Sequence, residues 1–179
     1  SLGQYVNIEG GGFVGGEAGA STELELRGMF MRSTGEEAPV VMTLIPEFVA
    51  GKTVRYVVNT DDVLGMAIDL RKETGMFTGT IQPTTIFRGK TVVGRTTPVT
   101  LSIEPIRQVV FLDFRPDYVE GLRDFGMRAV DARLRERILT VVHRAYTGVN
   151  MEFRTTPPTD YALYEHVELH GVDPNGLGL

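Results

Sequence analysis

Between Thr22 and Pro105 the apolar positions come in short runs with the period of a strand, and only after Pro105 do they fall into step with a helix. "TELELRGMF" alternates, "PVVMTLIPEFV" is a longer apolar run, and "KTVRYVVNT" is rich in β-branched and aromatic residues, which suit a pleated surface. "LGMAIDLRKETGMFTGTIQ" reads as two strands joined at Lys72-Glu73-Thr74-Gly75. "TTIFRGKTVVGRTTPVTLSIEP" reads as strands turning at Arg88-Gly89-Lys90 and again near Thr97-Pro98. Short strands at intervals of roughly 8–12 residues predict an antiparallel, immunoglobulin-like β-sandwich over residues 22–105. No helical stripe of useful length is visible within them.

Past a boundary near Glu104–Arg107 the pattern changes. "QVVFLDF", Gln108 to Phe114, is almost continuously apolar, as a strand covered on both faces would be. A long helical pattern follows Pro116-Asp117: Leu122 and Phe125 share a face, and Gly126 weakens the helix. Val130, Leu134, Ile138, Val141 and Ala145 then recur at helical spacing and predict a buried packing stripe. Gly148 stands where a left-handed residue would close the helix. "VNMEFRTT" and "DYALYEHVELHG" add two strands, so residues 106–179 read as a βαββ unit and the whole chain as a multidomain α+β protein. A crossover helix lays the second strand parallel to the first. Three strands and one helix would leave one sheet face uncovered, to be capped by the first domain, paired with another copy through self-association, or left open to a hydrophobic dye.

Before all of this, residues 1–21 are glycine-rich ("EGGGFVGGEAGAS"), too poor in apolar surface to offset ordering entropy, and predict a flexible leader. No Gly-Lys-Ser/Thr follows, so a phosphate loop is not indicated.

Composition narrows the function classes. The 179 residues carry a net charge of −5, with nine basic and twelve acidic residues up to residue 106 and nine and eleven beyond it. Neither half is basic, which argues against a nucleic-acid partner. No run approaches the ~20 apolar residues of a transmembrane helix. Cysteine is absent, which removes disulfides, thiolate nucleophiles and thiolate-bound metals.

The candidate chemistry lies in three histidines. His143 sits in "VVHRAY", but Arg144 and Thr147 occupy the places that a His-Glu-x-x-His helix gives to glutamate and the second histidine, so it reads as a helix-surface residue. His166, Glu168 and His170 share one strand face and are possible zinc or iron ligands, yet neighbours on one face are ~7 Å apart, and convergence needs help from elsewhere. The bland reading is a polar strand face backed by Val167 and Leu169. Asp173 and Asn175 could contribute oxygens to a calcium ion, although Asp-Pro-Asn-Gly is first a turn. Ser1, Ser21, Ser33 and Ser102 lie in no nucleophile motif, and the pairs Glu36-Glu37 and Asp61-Asp62 sit in turn-like stretches. No catalytic, cofactor-binding or metal-binding residue is assigned from these patterns.

Together "VVFLDF", the long helix ending "RAYTGVNMEF", the "TTPPTDYALYEHVEL" strand and the "GVDPNGLGL" loop resemble the front half of a bacterial extracellular zinc metalloprotease of the metzincin kind. The resemblance covers residues 108–179. In that family an N-terminal strand, a long helix and further strands precede a helix bearing His-Glu-x-x-His-x-x-Gly-x-x-His. That motif is absent here and would fall after Leu179. The resemblance implies a secreted or cell-envelope protein acting on protein or peptide, with zinc in the parent enzyme and none in this stretch, which would be catalytically silent. The rival expectation is a non-enzymatic envelope or extracellular binding module built on the sandwich.

Overall fold

A computed structural model describes residues 1–61 and 63–171, with Arg128 defined by its backbone alone. The chain divides into two compact units, Ser1–Ile106 and Arg107–Leu179. Its sheets are mostly antiparallel and its helices few, so it is an α+β protein.

The first unit holds β1 (Tyr5–Glu9), β2 (Ala20–Arg32), β3 (Glu37–Leu44), β4 (Glu47–Ala50), β5 (Thr53–Val57), α1 (Val63–Ala67), β6 (Gly75–Phe87), β7 (Lys90–Val93) and β8 (Thr97–Ile103). One antiparallel sheet runs β1-β5-β4 and the other β3-β2-β6, with β8 and β7 sharing the far edge of β6. That edge changes partner between Ile81 and Thr84, where Pro83 has no N–H to donate. Arg88 and Gly89 both take positive φ, as a two-residue hairpin between right-twisted strands requires. Alternation does the rest. Leu24, Leu26 and Phe30 of β2 point inward with Val40, Met42 and Leu44 of β3, and both rows meet Val54 and Tyr56 of β5 in one core. Two antiparallel sheets sharing a core are consistent with the expected sandwich. Gly28 pairs with Gly79 across β2 and β6, and the Phe77 ring lies 3.0 and 2.9 Å from where their Cβ atoms would stand. Bare backbone at this pair makes room for a ring.

Residues 1–21 are not the flexible leader that their glycine content suggests. Tyr5–Glu9 pair antiparallel with Thr53–Val57, Phe13 is buried, and Val14 is tied through both its N–H and its C=O to the Thr22 hydroxyl at 3.0 and 2.8 Å. Gly12, Gly16 and Gly19 take positive φ, so the glycines turn the chain back into the sheet. The stretch expected as two strands around Lys72–Gly75 is also different: its first half contains α1, and Leu64, Ile68 and Leu70 close one end of the core.

The core of this unit is not filled. A cavity of about 440 Å³ lies among Leu24, Leu26, Met42, Tyr56, Phe77 and their neighbours. A sealed apolar void of that size would cost on the order of 10 kcal/mol at ~24 cal/mol per Å³, comparable with the ~5–15 kcal/mol net stability of a whole domain. It is not sealed. Its half-exposed lining residues, Val6 and Ile8 on β1 and Val99, Leu101 and Ile103 on β8, mark a mouth between those strands. Among the described residues β1 pairs only with β5 and β8 only with β6.

The second unit holds β9 (Gln108–Phe114), α2 (Pro116–Asp124), a single 3-10 turn (Arg128–Val130), α3 (Asp131–Ala145), β10 (Met151–Arg154) and β11 (Glu165–Leu169). Its sheet runs β10-β9-β11, and both pairings are parallel. Pro116 supplies a preset φ at the start of α2, and Gly126, with φ of 67°, separates the two helices. Gly148, with φ of 90°, follows α3. Arg154 pairs with Glu152 and Asp160 and lies against the buried Tyr161, which fastens the β10–β11 connection to the sheet.

Two expectations fail in this unit. The stripe Val130, Leu134, Ile138, Val141 and Ala145 is not a buried face: no residue of α3 is buried, and Val130 and Val141 are 36% and 44% exposed. The half-buried face is Asp131, Leu134, Arg135, Ile138, Leu139 and Val142, turned from the predicted stripe toward Leu139 and Val142, two apolar residues that the stripe left out. Nor is one face of the central strand bare. Val109, Val110, Phe111 and Leu112 are consecutive and all buried, so both faces of β9 are covered. Exposed apolar side chains of this unit include Phe125, Val149, Leu163, Tyr164 and Val167.

Candidate functional site

The densest chemistry of the second unit gathers where β9 and β11 end. β9 closes on Asp113, and the chain continues through Arg115 to Asp117 in the first turn of α2. β11 runs beside it in parallel register, with Glu168 opposite Asp113, and carries His166 and Glu168 on one face with His170 just beyond. The backbone closes this end: Arg115 N–H donates to the Leu169 carbonyl at 3.0 Å, and Gly171 packs against α2 at Gly121, where a Cβ on Gly121 would stand 2.9 Å from the Gly171 Cα.

Six side chains then form a ribbon of alternating charge. His166 Nε2 meets Asp113 Oδ2 at 3.0 Å, and Arg115 reaches the same Asp113 oxygen at 3.0 Å and Glu168 Oε1 at 3.6 Å. His170 Nε2 lies 3.4 Å from Glu168 Oε2, and its Nδ1 lies 3.0 Å from Asp117 Oδ2. The Asp113 carboxyl is held below the usual carboxylate range by the His166 hydrogen bond and then by that of Arg115. Asp117 is lowered first by its bond to His170, and the His170 imidazole is raised by Asp117 and then by Glu168.

Of the three residues weighed as ligands, His166 and Glu168 are brought together with Asp113, and their ligand atoms lie within 4.8 Å of one another. His170 lies outside that set and bridges Glu168 and Asp117. The help that the strand spacing required comes from the neighbouring parallel strand. One divalent ion could be reached by all three donors, but both carboxylates already face the guanidinium of Arg115, so a metal would compete with a cation that the chain supplies. The arrangement as built is an ion-pair clamp at the carboxyl ends of parallel strands, the end where open α/β sheets place their ligands.

The other candidates fall elsewhere. His143 is exposed, with its ring edge-on to Phe153 at 5.3 Å. Ser33 hydrogen-bonds Thr74 at 2.9 Å, the Ser1 hydroxyl reaches the Pro105 carbonyl at 3.3 Å, and Glu36 pairs with Arg32 at 4.0 Å. Asp62, Asp173 and Asn175 lie outside the described residues, so the calcium possibility falls there too. Asp113, Arg115 and Asp117 were missed as site residues. They repeat every second residue, as His166, Glu168 and His170 do, but only the structure shows that His166 meets Asp113 and His170 meets Asp117, each pair 53 residues apart. No family model matches this chain, and no curated protein or solved structure is significantly similar to it.

Proposed function

We propose that residues 106–179 are the front part of a metzincin-type zinc metalloprotease domain, preceded by an immunoglobulin-like β-sandwich, in a secreted or cell-envelope protein. One observation supports this above the others. The second unit is a strand, a helical crossover and two further strands, with β10 and β11 laid parallel on either side of β9. This is the order that the family places before its zinc helix. Peptide hydrolysis in the parent would depend on zinc-activated water held by that helix. In this reading the ribbon from His166 to Asp117 locks the strand ends against α2 and takes no part in bond cleavage.

The test is to read the natural gene beyond Leu179 and express the chain to its stop. A downstream His-Glu-x-x-His, together with chelator-sensitive cleavage of an unfolded protein that is lost when the motif glutamate becomes glutamine, is the expected result. A natural chain with neither motif nor cleavage removes the protease reading and leaves the non-enzymatic binding module.

A further inference from the structure

We propose that the first unit binds a single apolar chain bearing an uncharged polar head, taken up between β1 and β8. This goes beyond the protease reading and stands or falls separately from it. The cavity has the volume of a small-ligand site, which is typically ~300–1,000 Å³. At ~30 Å³ per group, the share that a water molecule takes in the liquid, its 440 Å³ takes about fifteen heavy-atom groups, a chain of about twelve carbons together with its polar head.

Its walls are aliphatic and aromatic, and β2, β5 and β6 hold them in place through Leu24, Leu26, Tyr56 and Phe77. Polar lining comes from Ser1, Gln4, Asn7, Ser102 and Glu104, and the last three are exposed, so polar contacts concentrate at the mouth. No lysine or arginine lines the cavity; its one cation, the Ser1 ammonium, already donates to Gln4 Oε1 at 2.9 Å, and Glu104 adds a negative charge. A carboxylate or phosphate head would lose water beside a like charge with no basic side chain to receive it. An alcohol, ester or amide would find donors and acceptors in Asn7, Gln4 and Ser102. The chemistry therefore selects a neutral amphiphile of about twelve carbons over a fatty acid of the same length.

The experiment uses the whole chain, the neutral fluorophore N-phenyl-1-naphthylamine, and three competitors: 1-dodecanol, monododecanoylglycerol and dodecanoate at pH 8. The fluorophore should bind once per chain, and the two neutral competitors should displace it at concentrations about tenfold lower than dodecanoate. Leu101→Trp, which fills the mouth and adds the chain's only tryptophan, should abolish fluorophore binding while far-ultraviolet dichroism is unchanged. Should that variant not fold, Val99→Phe replaces it. Glu104→Lys, on an exposed side chain, should erase most of the preference by strengthening dodecanoate binding. No saturable enhancement, or binding indifferent to these substitutions in folded protein, overturns the site. Equal affinity for dodecanol and dodecanoate overturns the head-group assignment.

Discussion

The two units bury their apolar residues in opposite ways. In the first, burial is spread over every second residue of β2, β3 and β5, and one face of each sheet carries the core. In the second, four consecutive residues of β9 are buried while α3 has none, and the polar interactions lie on the flanking strands β10 and β11 and at the strand ends. The cause is strand direction. Antiparallel sheets can face water on one side, so they alternate, whereas a central parallel strand is covered on both sides and cannot. Polar chemistry then has room along the faces of the first unit, and in the second on the flanking strands and at the ends of the central one.

The contrast predicts where a deletion hurts. Phe30 is 1% exposed and central to the first core, and Phe30→Ala should cost about 3–5 kcal/mol. Leu112, in the doubly covered strand, should cost about 2–4 kcal/mol as alanine. Chemical denaturation followed by resonances from each unit separates the two, since two units need not unfold together. A loss at Leu112 no larger than that of a surface residue would mean that β9 is not the spine of its unit.

A smaller effect fixes the phase of α3. Leu134→Ala and Ile138→Ala remove half-buried side chains and should each cost about 1 kcal/mol, while Val141→Ala, on the exposed side, should stay within ~0.5 kcal/mol. Equal losses at all three would restore the stripe that the spacing suggested and discard the face seen in the structure.

That stripe shows what the sequence conveys and what it hides. Alternation in "TELELRGMF" and the unbroken "QVVFLDF" were readable because each period maps directly onto a face. Leu134 and Ile138 were on the right face, but Val141 and Ala145 lie on its exposed flank while Leu139 and Val142 are half-buried, and more than one apolar spacing fits the same helix. β1 was hidden by the glycines on its C-terminal side, although Val6 and Ile8 already alternate with polar residues. Half of the ribbon was visible as His166, Glu168 and His170. Its other half was not, because choosing Asp113 and Asp117 as partners requires knowing that β11 lies beside β9, a pairing formed over 53 residues.

The subtlest effect is a dependence on pH confined to the second unit, and its sign follows from the ribbon. His170 has a raised folded value, so its contribution is complete below the ordinary histidine value of ~6.5 and is lost as pH rises through the raised one. Asp113 and Asp117 have lowered folded values, so theirs is complete above the ordinary carboxylate value of ~3.9 and is lost as pH falls through the lowered ones. The unit should therefore be most stable between about pH 4 and 6.5 and should weaken on either side. Imidazole resonances of the intact chain should place the His170 midpoint above the ordinary value, and Asp117→Asn should bring it down while flattening the alkaline limb of the stability profile. A His170 midpoint unchanged by Asp117→Asn would mean that the bond between them is not formed in solution, and the lock between β11 and α2 would have to rest on the backbone, through the Arg115–Leu169 bond and the Gly121–Gly171 contact.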